Sequence, residues 1–220
     1  MADDLALREQ LVAAVRRLDQ LGLNRGSTGN ASVRGSAGDG CWITPTGMGA
    51  EIDADDLVWI GDDGCVRGRW QPSSEAPFHR AVYRARADLH AVVHAHCVHA
   101  TALACLRRPL PAFHYMVAVA GGDSVPCVPY HLFGSEALSR AVGQAFTDRC
   151  ACLLANHGLV AGGTSLAHAV KVTLEVESLC EAYLAALACG EPALLSRDEM
   201  AAVIARFSDY RPTPRPGSAR

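Results

Sequence analysis

Two short apolar runs in this chain end in histidine. Ala91-Val92-Val93 leads into His94-Ala95-His96, and Cys152-Leu153-Leu154-Ala155 leads into Asn156-His157-Gly158. Both runs read as buried strands. Residues i and i+2 of a strand point to one face, so His94 and His96 share a side. Gly158 is expected to free the turn after the third histidine. Elsewhere the pattern switches between helical and strand periods. Leu5, Leu7, Leu11, Val12, Val15, Leu18 and Leu21 recur at mostly helical spacing, with Asp3 and Asp4 ahead of them and Gly22 behind. Acids at the start of a helix complement its dipole. Short strands are predicted at 31–34, 42–44 and 57–60. Pro45 stops the second, and Gly61-Asp62-Asp63-Gly64 turns the third back through Cys65-Val66.

Pro72-Ser73-Ser74-Glu75 opens the next helix, with Ser74 the expected N-cap. After His96 the pattern predicts a helix over 98–106. An extended edge segment follows at 125–130, where Pro126 and Pro129 each remove a ladder donor. Ser135 should cap a helix reaching Phe146, and 159–161 should return from the second histidine strand as a hairpin. A long helix runs from Ser165 until Gly190 and Pro192 halt it, and Ser196-Arg197-Asp198-Glu199 has the spacing of a capping box. Neither a repeat nor a linker divides the chain, so 1–210 reads as one domain, and the Pro- and Arg-rich 211–220 as a disordered tail.

Composition narrows the function. At 220 residues and half hydrophobic, the chain can bury a substantial core. A net charge of −3 argues against a nucleic-acid partner. No apolar run approaches the ~18 residues that a membrane helix needs, and no charged-then-apolar leader is visible. Nine cysteines without a Cys-x-x-Cys read as reduced thiols in a cytoplasmic protein.

Three neutral imidazoles with a fourth position open is the donor set of a catalytic zinc. His99, three residues past His96, is the rival third ligand, whereas His79, His90, His131 and His168 read as surface or packing residues. The small-polar loop ending in Gly29-Asn30 and the turn at Thr46-Gly47 offer backbone N–H groups to an anion, as do Ser73 and Ser74 at a helix start. By position alone, Glu75 is a first-turn acid. The Gly29 loop is not a Walker loop, since no Gly-Lys-Ser/Thr follows.

Taken together, Gly29-Asn30, Ile43-Thr44-Pro45-Thr46-Gly47, Ser73-Ser74-Glu75, His94-Ala95-His96 and His157-Gly158 resemble, in order and spacing, the class II aldolase/adducin family. Phe113-His114-Tyr115-Met116, with the Gly121-Gly122 pair and Pro126-Cys127-Val128-Pro129-Tyr130, looks most like its L-fuculose-phosphate branch. The resemblance spans about residues 5 to 210. It implies an α/β fold, three-layer α/β/α around a largely antiparallel sheet. It also implies a homotetramer with active sites between subunits, and a small sugar phosphate as substrate. In residue terms, His94, His96 and His157 would hold one Zn²⁺ per subunit. Glu75 would be the acid/base and would also touch the metal. Gly29, Asn30, Thr46, Gly47, Ser73 and Ser74 would cradle the phosphate, Tyr115 would act from the adjacent subunit, and Tyr210 would close over the aldehyde.

The activity so implied is reversible cleavage of a ketose 1-phosphate, L-fuculose 1-phosphate first, to dihydroxyacetone phosphate and L-lactaldehyde. Lys171, the only lysine, falls in a helical stretch rather than where a Schiff base is expected, so a metal is the natural electron sink. Family alternatives are an aldolase, epimerase or dehydratase for another pentulose or methylthioribulose phosphate. Epimerase relatives carry aspartate where Glu75 stands. A non-catalytic adducin-like module is the alternative from a different class; such relatives have lost the histidines kept here.

Overall fold

The structure is a computed structural model and describes residues 4–207. Its strands are β1 (Asn30–Arg34), β2 (Gly40–Ile43), β3 (Val58–Gly61), β4 (Val66–Arg67), β5 (Ala91–Ala95), β6 (Cys127–Val128), β7 (Ala151–Leu154) and β8 (Gly158–Gly163). They form one sheet in the order β4-β3-β2-β1-β5-β8-β7-β6. Every pairing is antiparallel except β6 with β7. Helices α1 (Leu5–Gln20), α2 (Ala76–Ala85), α3 (Val98–Cys105), α4 (Glu136–Ala145), α5 (Leu166–Cys189) and α6 (Arg197–Phe207) complete the chain, with a 3₁₀ helix at Tyr115–Ala120.

The strand period of two sorts side chains into two cores. Ala91, Val93 and Ala95 of β5 pack with Leu11, Leu103, Val172 and Val176 on the side of α1, α3 and α5. Val92 instead joins Phe78, Val82, Leu138 and Val142, under α2 and α4. The layering is therefore α/β/α around a largely antiparallel sheet, as expected. Because β5 is central, both its faces are covered, which explains an apolar run without polar alternation. Fully burying each valine contributes about 1.5–3 kcal/mol.

Local signals hold where the side chain itself makes the bond. The Ser135 and Ser165 side chains accept from Leu138 N and His168 N, and Glu199 Oε2 accepts from Ser196 N at 2.7 Å, closing the capping box. One expectation is corrected. Ser74 does not cap α2: Glu75 occupies the N-cap position and Ser73 Oγ accepts Glu75 N–H at 3.2 Å. Asp4 stands at the start of α1 as expected, and its carboxylate accepts from Ser36 N and from Trp42 Nε1 at 2.8 Å, tying the helix start to β2. Within segment 125–130, Cys127–Val128 forms β6 at the sheet edge, as expected. Tyr210 and the tail from Arg211 lie outside the described residues.

Candidate active site and metal centre

The sheet order explains how distant histidines meet. Strands β5 and β8 are neighbours, with His94 opposite Val160 and Ala95 opposite Leu159. The short turn between β7 and β8 carries His157, which therefore lies beside the end of β5. His94, His96 and His157 each offer one ring nitrogen, and the three atoms lie within 4.8 Å of one another.

The second nitrogen of His94 determines the chemistry of the first. His94 Nδ1–H donates to the Leu159 carbonyl at 2.9 Å, so Nε2 carries the lone pair and points at His96 Nε2, 2.9 Å away. Backbone supports fix the rest. Asn24 Oδ1 accepts from His96 N, and Asn24 Nδ2 donates to His94 O. Asn156 adopts φ 56°, a left-handed conformation that asparagine tolerates, and Arg107 Nε donates to its side-chain oxygen at 2.8 Å. The left-handed residue of this turn is thus Asn156, not Gly158.

Gly158 serves close approach instead. A Cβ there would lie 2.6 Å from Ala95 O, 3.2 Å from His96 Cδ2 and 3.4 Å from His94 Cε1. Gly158→Ala is expected to push β5 and its imidazoles apart. Metal affinity should fall about tenfold or more, as when a supporting contact of a ligand is lost. Competition against a chelator checks this, and unchanged affinity would contradict the close-approach role.

Glu75 reaches the same point from α2. Its Oε2 lies 3.2 Å from His94 Nε2 and its Oε1 3.3 Å from His157 Nε2. Oε2 also accepts from Asn30 Nδ2 at 2.9 Å, whereas Oε1 is buried without a hydrogen bond among the described residues. Burial raises the Glu75 pKa, opposed by the Asn30 bond and by His157. Burial lowers all three histidines, and neighbouring imidazoles add to this at His94 and His157. Neutral imidazoles are the metal-ligating form. An orphaned carboxylate oxygen 3.3 Å from His157 Nε2, beside a group of three imidazole nitrogens of which one has its lone pair directed inward, fits a divalent cation.

A cleft of about 360 Å³ opens beside this centre, lined by Gly29, Asn30, Thr46, Gly47, Ser73 and Ser74 together with Glu75, His96 and His157. The Thr46 hydroxyl donates to Pro72 O and accepts from Ser74 N, holding two of the loops together. The structure therefore gathers every site residue expected from the sequence except the two tyrosines and fully buried His94, which meets the centre from behind. Tyr115 does not line this cleft; it is half exposed beside His114 and Phe207.

His99 is no ligand here. Its Nδ1 and backbone N both bond Glu177 Oε1, and Glu177 Oε2 accepts from Ala100 N, so this acid of α5 caps α3. Sequence reasoning missed Tyr130, His131 and Phe133, which line the cleft mouth from a loop with no periodic signal. His79, one of the histidines read as surface or packing residues, is fully buried behind Glu75.

The model of the family described as "Class II Aldolase and Adducin N-terminal domain" matches residues 9–184. This chain belongs to the class II aldolase and adducin family. A 5-methylthioribulose-1-phosphate/5-deoxyribulose-1-phosphate aldolase of Rhodospirillum rubrum is 47% identical over 207 residues, covering 94% of this chain and 93% of that one. An L-fuculose phosphate aldolase of Escherichia coli strain K12 is 44% identical, covering 93% and 95%. Among solved structures, an L-fuculose 1-phosphate aldolase superposes with a TM-score of 0.88 at 38% identity, covering 91% of this chain and 95% of its own. The chain is accordingly an enzyme, a lyase of the class II aldolase type, in a family whose chemistry depends on a metal. Among the described residues no helix is long and apolar enough to cross a membrane.

Proposed function

We propose that this class II aldolase uses zinc to cleave a ketose 1-phosphate reversibly into dihydroxyacetone phosphate and a short aldehyde. The observation that carries this reading is convergence. Three imidazole nitrogens and a buried carboxylate meet beside a cleft that is also lined by small-polar loops. In this reading His94, His96 and His157 hold one Zn²⁺, with Glu75 in reach of it. The bound ion supplies a Lewis acid for the negative charge that develops at the ketose C2 and C3 oxygens.

The protein's own groups do the rest. Gly29, Asn30, Thr46, Gly47, Ser73 and Ser74 hold the phosphate through neutral donors, which fixes position without lysine or arginine. Cleavage breaks the C3–C4 bond and leaves its electron pair with C3. Glu75 then delivers a proton to C3, and takes it back in the synthetic direction. The C4 hydroxyl gives up its proton as the aldehyde forms, and Tyr115 of a neighbouring copy is the candidate to exchange a proton with that oxygen. The exposure of Tyr115 outside its own cleft supports sites shared between subunits of a homotetramer. Lys171 is exposed on α5, which leaves a Schiff-base route without its amine. Nine free cysteines suit a reducing cytoplasm.

L-Fuculose 1-phosphate is the first substrate to test. A second reading, 5-deoxyribulose or 5-methylthioribulose 1-phosphate, is favoured by the 47% identity to the relative of that name. All three release an aldehyde with an apolar terminus, which suits Tyr130 and Phe133 at the cleft mouth. Glutamate rather than aspartate at position 75 favours an aldolase over an epimerase.

Each ketose phosphate should be assayed for dihydroxyacetone phosphate release, with and without a chelator. At least one should turn over and stop on chelation. Release from none, or release that survives metal removal, would overturn the proposal.

A further inference from the structure

Behind Glu75 runs a chain of buried polar side chains that joins β1 to α2. Asn30 Nδ2 donates to Glu75 Oε2 at 2.9 Å, and Asn30 Oδ1 meets His79 Nε2 at 2.6 Å. His79 Nδ1 lies 2.7 Å from Ser32 Oγ, which lies 2.8 Å from the Tyr83 hydroxyl. Ser32 and His79 have no exposed surface, and Asn30 and Tyr83 have under a tenth.

With Glu75 ionised, one assignment of protons satisfies this chain. A carboxylate oxygen accepts, so Asn30 must present its amide nitrogen to Glu75 and its oxygen to His79. His79 Nε2 must then carry the hydrogen, which leaves Nδ1 as the acceptor for the Ser32 hydroxyl. The Ser32 hydrogen is thereby committed, and the Tyr83 O–H donates to Ser32 Oγ. Every donor points toward the acid, and linked bonds of this kind polarise one another. Burial keeps His79 neutral, with its pKa pushed down to about 3. Its ring stacks on Phe78, 4.8 Å between centroids and 16° from parallel, and Phe78 lies edge-on to His94. The ring is thus clamped in the plane that serves Asn30.

We propose that His79 is a positioning residue for the aldol reaction: through Asn30 it pins Glu75 Oε2 and so leaves Oε1 as the oxygen that exchanges the substrate proton. This deepens the proposed function and rests on Glu75 being the acid/base. It differs from a packing role, because a packed ring of the same size would fill the space and pass on no hydrogen bond.

Two variants and one spectroscopic measurement test it. His79→Phe keeps a flat ring against Phe78 but cannot donate to Asn30. His79→Gln places a side-chain N–H near the position of Nε2–H. With zinc content unchanged, His79→Phe should lower kcat about ten- to a hundredfold, the scale of a misplaced catalytic group, with KM nearly unchanged. His79→Gln should recover most of that loss. Near-normal kcat in folded His79→Phe would overturn the proposal, as would equal losses in both variants with KM raised. Should His79→Phe fail to fold, the His79→Gln kinetics and the wild-type tautomer decide. Nitrogen NMR of the labelled wild-type protein should show His79 neutral with its hydrogen on Nε2; a hydrogen on Nδ1 would break the chain and the proposal with it. An inactive wild type would instead overturn the aldolase reading, and the tautomer would still test the hydrogen-bond chain.

Discussion

Glu75→Gln is expected to fold, to keep its metal, and to lose about 10²–10⁴ in turnover, roughly 3–5.5 kcal/mol of transition-state stabilisation. The substitution preserves shape and leaves a carbonyl oxygen for Asn30 Nδ2 to bond. It removes only the capacity to take or give a proton. Three imidazoles remain to hold the ion, so metal content should stay near one per chain. The raised pKa of this buried acid explains why the loss should be large: a carboxyl shifted upward from its usual range is better matched to neutral operating pH. Steady-state kinetics alongside metal analysis check this. Turnover within about threefold of wild type would remove Glu75 from the proton transfer.

His94→Ala should be more damaging still, through the metal rather than the proton. His94 is fully buried, its Nδ1–H is committed to Leu159 O, and its Nε2 lies 2.9 Å from His96 Nε2 and 3.2 Å from Glu75 Oε2. Removing it deletes one of three neutral donors and leaves the Leu159 carbonyl without its partner. The loss of affinity should exceed the about 10–100-fold typical of a ligand's supporting contact, and nearly all activity should go with it. Metal analysis after dialysis, together with aldol cleavage at saturating zinc, measures both. Stoichiometric tightly held zinc in this variant would place the ion elsewhere.

Much of this site was legible because a strand's period is rigid. His94 and His96 share a face by spacing alone, and the apolar run before them marks a strand covered on both sides. Ser135, Ser165 and Ser196 were readable because each bonds within its own first turn. Partners far apart in sequence were not readable. His79 lies 49 residues from Asn30, and only the packing of α2 on β1 makes them neighbours. Asp4 was readable as a helix-start acid, but its bonds to Trp42 and Ser36 form only once β2 folds against α1. Gly158 carried a turn signal, but the constraint there is the nearness of β5, which no local pattern encodes. His157 became a metal candidate only through the wider motif, since the pairing of β5 with β8 is what carries it to the other two.

The most direct test is to locate the ion. Crystals of the zinc-loaded protein, measured on both sides of the zinc absorption edge, should show one anomalous peak per chain bonded to the ring nitrogens of His94, His96 and His157. A peak at other side chains, or none where these three nitrogens meet, would contradict the account.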